Sequence, residues 1–331
     1  MFSKGAHFLI MSLTTISSRL KYAEKYLGRY ETILALALLF IAASFLSPVF
    51  LTVRNLLNIL LHITIVGVIA LGMTFVVSMG GIDLSVGSVL AFASICASSL
   101  LKIGAPVGIA LLVGLCAGAL CGAVNGLLIV YGRLPPFIVT LGMMGIARGS
   151  ALIIAQGRSI YGFPRSFLWL GQTFLFNVIP MPTIFFIIIV LISYYVYFHT
   201  RFGHYTIVIG DNEEAAKTVG IPINAIKIAN YIIVNLLAAF GGILFAARLN
   251  AAEPTAGVGY ELDAIAAVVI GGTNLFGGQG TVLGSFLGIV LVGLIRNILN
   301  LLAVSPYYQQ LAIGMVLIGA VLLDTFRLKS R

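Results

Sequence analysis

Charged side chains are scarce. Asp, Glu, Lys and Arg together make up 9% of the 331 residues, and only 10 residues are acidic. A soluble domain carries roughly a quarter charged residues, so this chain cannot clothe a water-facing surface of its size, and a soluble globule is excluded. Cysteine is also rare. Cys96, Cys116 and Cys121 are odd in number, lie inside apolar runs and form no Cys-x-x-Cys pair, which excludes a disulfide framework and a zinc site. The four histidines, His7, His62, His199 and His204, do not cluster, so no metal is expected. No G-x-x-x-x-G-K-[ST] occurs, and the chain therefore carries no P-loop with which to hydrolyse ATP. Neither His-Glu-x-x-His nor Gly-x-Ser-x-Gly is present. Gly278-Gln279-Gly280 lacks the spacing and the βαβ setting of a dinucleotide turn. An enzyme is not expected.

What the chain does have is apolar length. Hydrophobic residues make up 60%, and mean hydropathy is +1.11. A membrane crossing needs about 20 apolar residues. The pattern predicts an all-α polytopic membrane protein with about ten transmembrane helices, at 31–51, 56–79, 84–101, 106–131, 136–156, 181–199, 226–248, 261–276, 281–303 and 307–326. The span at 261–276 is too short to cross as one straight helix and is expected to be short or broken, lining a cavity or buried in protein. The net charge of +9 arises mainly at the chain ends and in short loops. That placement fits topology and anionic lipid rather than nucleic acid. With the N-terminus inside, twelve basic residues fall on the cytoplasmic side and six on the other, with Arg148 inside a span, which favours both termini in the cytoplasm. Residues 1–30 are expected to be a cytoplasmic tail. No small-residue cleavage site precedes the basic run that begins at Arg19, and 19–31 has the spacing of an amphipathic interfacial helix. The membrane-spanning domain then runs over 31–331.

Glycine is plentiful and patterned. Gly114, Gly118, Gly122 and Gly126 recur every fourth residue, and Gly280, Gly284 and Gly288 repeat the spacing. Such stripes let helices approach closely. The stretch 80–90 also faintly echoes 277–287, as a duplicated transporter half would. Two loops are long. The one at 157–180 holds Arg158, Arg165 and the single tryptophan, Trp169. The one at 200–225 is polar and cytoplasmic. Within the latter, Asp211 or Asn212 can cap a short helix whose first turn carries Glu213 and Glu214. Ala215 and Ala216 leave a low-profile face, and Gly220 can close the helix. An exposed helix of this kind suits docking into a groove on another protein.

Ionisable groups inside spans need a partner, a cavity or a boundary. Asp83 reads either as the N-cap of the third span or, with Ser85, as a polar wall of a translocation path. Arg148, beside Gly145 and Gly149, reads either as a structural pair that can snorkel outwards or as a path residue. Asn125, beside the glycine stripe, reads as a packing hydrogen bond or as pore lining. Glu253, Glu261 and Asp263 flank the short eighth span, where acids favour a helix start.

Four stretches together resemble the membrane permeases of bacterial ABC sugar importers, ribose-type in particular: GGIDLSVGS at 80–88, EAAKTVG at 214–220, PTAGVGYELDAIAAVVIGG at 254–272 and GGQG at 277–280. The resemblance runs from about residue 31 onwards and is more specific for the family than for the sugar. Permeases for xylose, arabinose, galactose, allose and autoinducer-2 share much of it. It implies a type II importer-like fold and a homodimer in the inner membrane. An ABC ATPase subunit, carrying ATP and Mg, would dock on the inside, and a periplasmic sugar-binding protein on the outside. No cofactor is implied on this chain. It also implies that Glu213, Glu214, Ala215, Ala216 and Gly220 form the coupling helix. Arg158, Arg165 and Arg248 then become candidates for docking the binding protein by charge complementarity, and Asp83, Ser85, Asn125 and Arg148 become path candidates. The competing reading is a stand-alone, ion-coupled secondary transporter, which the shortage of intramembrane acids disfavours.

Overall fold

Residues 32–329 are described by a computed structural model. The interfacial helix expected at 19–31 lies outside the described residues. Helix α1 covers Thr32–Leu46. It is followed by α2 (Val53–Ser78), α3 (Val86–Lys102), α4 (Val107–Val130), α5 (Pro136–Ile154), α6 (Arg165–Gln172), α7 (Met181–His199), α8 (Arg201–Asp211), α9 (Glu213–Thr218), α10 (Ile223–Leu249), α11 (Tyr260–Ile270), α12 (Val282–Leu301) and α13 (Pro306–Lys329). The expected spans correspond to α1–α5, α7 and α10–α13. Six of these, α2, α4, α5, α7, α10 and α12, are long and apolar enough to cross a membrane. Strand structure among the described residues is confined to two antiparallel two-residue ladders, Ile160–Tyr161 (β1) with Ala251–Ala252 (β4) and Phe174–Leu175 (β2) with Ile179–Pro180 (β3).

Local sequence explains most helix boundaries. Thr52 caps α2 by accepting from the Asn55 N–H, and Pro136 and Pro182 sit in the first turns of α5 and α7, where their missing N–H costs nothing. Packing then sorts the helices. α2 is apolar all round and is buried from Ile63 through Ser78 among α7, α10, α11 and α12. α4, α5 and α7 turn Leu120, Ile146 and Leu191 outward, as faces toward lipid tails must.

The first glycine stripe is the seam between α4 and α10. A Cβ on Gly126 would lie 2.8 Å from the Cα of Ile228, and one on Gly118 would lie 2.7 Å from the carbonyl oxygen of Asn235. The second stripe differs from its expectation. Gly284 and Gly288 of α12 face Gly271 and Ala267 of α11, but Gly280 precedes the helix and abuts Ser78 and Tyr197.

The expected span at 261–276 is broken. α11 stops at Ile270, giving about 16 Å of helix at 1.5 Å per residue. Gly271 and Gly272 turn the chain into the 271–281 loop, and the irregular segment 253–259, which follows strand β4, precedes α11. The α2–α3 junction repeats the device, with the irregular stretch 79–85 leading into a 17-residue helix. The two stretches whose sequences echo each other lie side by side, for the Gly278 N–H donates to the Ser78 carbonyl at 3.0 Å. Contacts along antiparallel neighbours give the bundle two distinct ends. One carries α8 and α9 with the 271–281 loop; the other carries α6 and the two ladders.

Candidate functional site: an exposed lever and two polar islands

The 200–225 loop consists of two helices. Thr200 caps α8, and Asn212 separates α8 from α9 in extended conformation (φ −157°), its Oδ1 accepting from the Ala215 N–H at 2.9 Å. Glu213 and Glu214 occupy the first turn of α9 and Lys217 the last, as the helix dipole favours. Gly220, at φ +78°, ends it. The two alanines do not share a face. Adjacent helical residues are about 100° apart, and Ala216 is turned into the bundle while Ala215 faces out with Val219. The low-profile face is therefore Ala215 alone, and Ala216 is an anchor.

Two links join α9 to the membrane helices. Lys227 of α10 pairs with Glu213 at 2.7 Å. Gly210, at the end of α8, is packed so tightly on Ser78 and Gly278 that a Cβ there would lie 2.6 Å from the Gly278 nitrogen. A cleft of about 980 Å³ opens between the end of α4 and α9–α10, lined in part by Tyr131, Arg133, Glu214 and Asn224.

The first polar island is centred on Asp83. Its Oδ1 accepts from the backbone N–H and hydroxyl of Ser85, and its Oδ2 accepts from Asn235 Nδ2 at 2.7 Å and Asn125 Nδ2 at 3.3 Å. Asn125 also donates to Ser85 Oγ at 3.1 Å. Asp83, Ser85, Asn125 and Asn235 are all 0% exposed. Asp83 is not the N-cap of α3; Ser85 holds that position, without a side-chain capping bond, and Asp83 forms a local turn onto it. The carboxylate joins α3, α4 and α10 through neutral donors only. Asn235 escaped the sequence reading. Its signal was an amide in an apolar run, and its backbone lies against Gly118 of the stripe.

Arg148 stands apart from that island. Its Nη1 donates to the carbonyls of Pro254 and Ala256, each at 2.7 Å, so the guanidinium holds the irregular 253–259 segment against α5. Gly145 and Gly149 meet nothing within 4 Å and take no part in this contact.

The second island surrounds the start of α11. Asp263 Oδ1 accepts from Arg296 Nη2 at 2.7 Å, with the Asp263 side chain 0% exposed and that of Arg296 20% exposed. Glu261 Oε1 accepts from the Gly259 N–H, so Glu261 supports the helix start while Asp263 is an ion-pair partner. Arg296, expected near the outer surface, instead lies within α12. Of the three arginines expected to meet a binding protein, Arg158 and Arg165 are exposed at the α6 end; Arg248 is half-buried and close enough to His62 and Tyr260 to interact electrostatically.

A bundle of apolar helices with broken crossings, intramembrane polar islands and a structured polar loop at one end is a multi-pass membrane transport protein. Residues 55–321 match the family described as branched-chain amino acid transport system / permease component, and the chain belongs to it. It is similar to the ribose import permease protein RbsC of Escherichia coli (strain K12), 42% identical over 95% of this chain and 99% of that one. The ribose import permease protein RbsC of Bacillus subtilis (strain 168) is 43% identical over 88% and 91% of the two chains, and the D-allose transport system permease protein AlsC of Escherichia coli (strain K12) is 37% identical over 89% and 91%. No solved structure matches the chain. The chain is thus a permease component and not itself an enzyme.

Proposed function

We propose that this permease imports ribose across a bacterial inner membrane, with ATP and Mg held by a partner ATPase and the sugar delivered by a periplasmic binding protein. The names of its relatives support the sugar. Two copies of the chain form the translocation unit, with an even number of crossings and both termini in the cytoplasm, on the α9 side. Specificity resides mainly in the binding protein, so the permease needs only a wettable path.

The observation that carries this reading is the exposed, doubly tethered helix α9. A force applied to Glu213, Glu214 and Ala215 reaches α10 through Lys227, and reaches α2 and the loop before α12 through Gly210. Rigid-body motion of packed helices then exchanges inward and outward access. Gly220 sets where the lever ends. Arg158 and Arg165 meet acidic groups of the binding protein. Asp83, Ser85 and Asn125 brace the wall of the path from behind, and Arg148 braces it at 253–259.

Co-purification with the ATPase and binding protein, followed by a panel of ribose, allose, arabinose, xylose and galactose in ATP-driven uptake, tests the class and the sugar together. Glu214→Arg is expected to abolish uptake with normal membrane insertion; unchanged uptake defeats the lever assignment. Accumulation by the purified chain alone under an ion gradient would establish a secondary transporter instead.

A further inference from the structure

We infer that the half-buried island formed by His62, Arg248, Glu253, Tyr260, Asp263 and Arg296 is a contact site for the neutral sugar inside the membrane. The inference rests on the importer reading above and adds where the solute touches this chain.

The first argument is depth. Arg296 is five residues from the C-terminal end of α12, about 8 Å along the axis at 1.5 Å per residue, and its partner Asp263 is in the first turn of α11. Charged groups at such depth face protein or water and not lipid tails. The second is the backbone. The 253–259 segment beside this island is irregular, and non-helical backbone at membrane depth occurs only where it is buried in protein or lines a cavity. Glu253, Tyr260 and Arg296 are only partly covered by the chain itself.

The third argument is unspent hydrogen-bonding capacity. Asp263 Oδ2, Arg296 Nε and His62 Nδ1 are buried atoms without a hydrogen-bond partner among the described residues. Asp263 as a residue is wholly inaccessible, yet uses one oxygen only. Buried polar atoms in native proteins are normally satisfied by protein or ordered water. The His62 ring lies edge-on to that of Tyr260, with centroids 6.3 Å apart. Arg248, Arg296, Asp263 and Glu253 all lie within electrostatic reach of the same tyrosine.

Charge selects the ligand class. Arg248 and Arg296 offset Glu253 and Asp263, and Arg148 offsets the neighbouring Glu261, so the site offers neither an anion nor a cation a net attraction. Paired donors, acceptors and an aromatic face suit a neutral polyhydroxylated ring. The other intramembrane island does not, because all four of Asp83, Ser85, Asn125 and Asn235 are inaccessible, whereas here Glu253, Tyr260 and Arg296 stay partly open around the buried Asp263.

The test uses the full transporter, with ATPase and binding protein, in proteoliposomes loaded with ATP. Cys96, Cys116 and Cys121 are replaced by alanine, and single cysteines are introduced as Tyr260→Cys, Glu253→Cys and the lipid-facing Leu191→Cys. The first two are expected to react with a charged, water-soluble methanethiosulfonate and to lose uptake of radiolabelled ribose on reaction, with ATP hydrolysis retained; Leu191→Cys is expected to remain unlabelled. Absence of labelling at both island positions, or labelling that leaves uptake unchanged, overturns the inference. Tyr260→Phe, which removes only a hydroxyl, carries the test should a cysteine variant fail to assemble: a lowered uptake rate with unchanged ATP hydrolysis supports the site, and an unaltered rate overturns it. Failure of the unsubstituted transporter to take up any sugar would instead refute the importer reading.

Discussion

The two polar islands place a carboxylate in the same apolar bundle and treat it in opposite ways. Asp83 is surrounded by amides and a hydroxyl drawn from three helices, and none of its hydrogen-bond partners carries charge. Asp263 meets a guanidinium, leaves one oxygen unpaired and lies beside residues that stay partly open. A buried network of neutral donors fixes helices relative to one another, here with Asn125 Oδ1 alone of its polar side-chain atoms left unpaired, and its value falls when a member is removed. An ion pair at an open edge carries unsatisfied capacity that a solute or water can use. Burial and partner chemistry, rather than the mere presence of an acid in a span, separate a sealed polar group from one with open neighbours.

Substitutions can break or sharpen that contrast. The largest effect is expected from Arg296→Met, which strands the buried Asp263 carboxylate and should cost about 3–5 kcal/mol, read as a lower thermal aggregation midpoint in detergent. Adding Asp263→Leu should restore most of that stability, because replacing a buried ion pair by apolar groups is often close to neutral. The double variant should still transport poorly; full transport by it would make the pair purely structural. Asp83→Leu comes next. It removes one of the two acceptors of each of the Asn125 and Asn235 amides, which retain Ser85 Oγ and the Tyr231 carbonyl, at about 1–3 kcal/mol for each unsatisfied group, and should reduce the yield of folded protein. Asp83→Asn keeps an acceptor in place and should preserve folding and uptake. Were Asp83→Asn to fold normally and lose transport, the sealed island would belong to the path after all. Asn212→Ala, outside both islands, sets the scale of a purely local defect. Loss of its capping bond should cost α9 about 1 kcal/mol, visible as faster hydrogen exchange over 213–219 with the intramembrane helices unchanged.

Several of these features were legible in the residues. The short helix α9 was readable because capping, dipole and stop signals are local: Asn212, Glu213, Glu214 and Gly220 fall within a stretch of nine residues. The α4 stripe declared a close helix contact, though not that α10 would fill it. The shortness of 261–276 announced a broken crossing, but the 253–259 segment that precedes α11 has no hydrophobic period to reveal it. Asn235 stayed hidden because a lone amide in an apolar run looks alike whether it meets a carboxylate or a neighbouring carbonyl. The split between Ala215 and Ala216 depended on how α9 seats on α8 and α10, which no spacing within the loop encodes.

By itself the sequence determined the solvent, the polytopic helical class and the short polar helix α9, because apolar length, scarcity of charge and helix punctuation act over one segment at a time. Only the tertiary structure decided which intramembrane polar groups meet. Asp83 with Asn235 and Asp263 with Arg296 are joined across 152 and 33 residues. Whether such a group is sealed or open depends on the shape of the surrounding helices, a property that no single segment possesses.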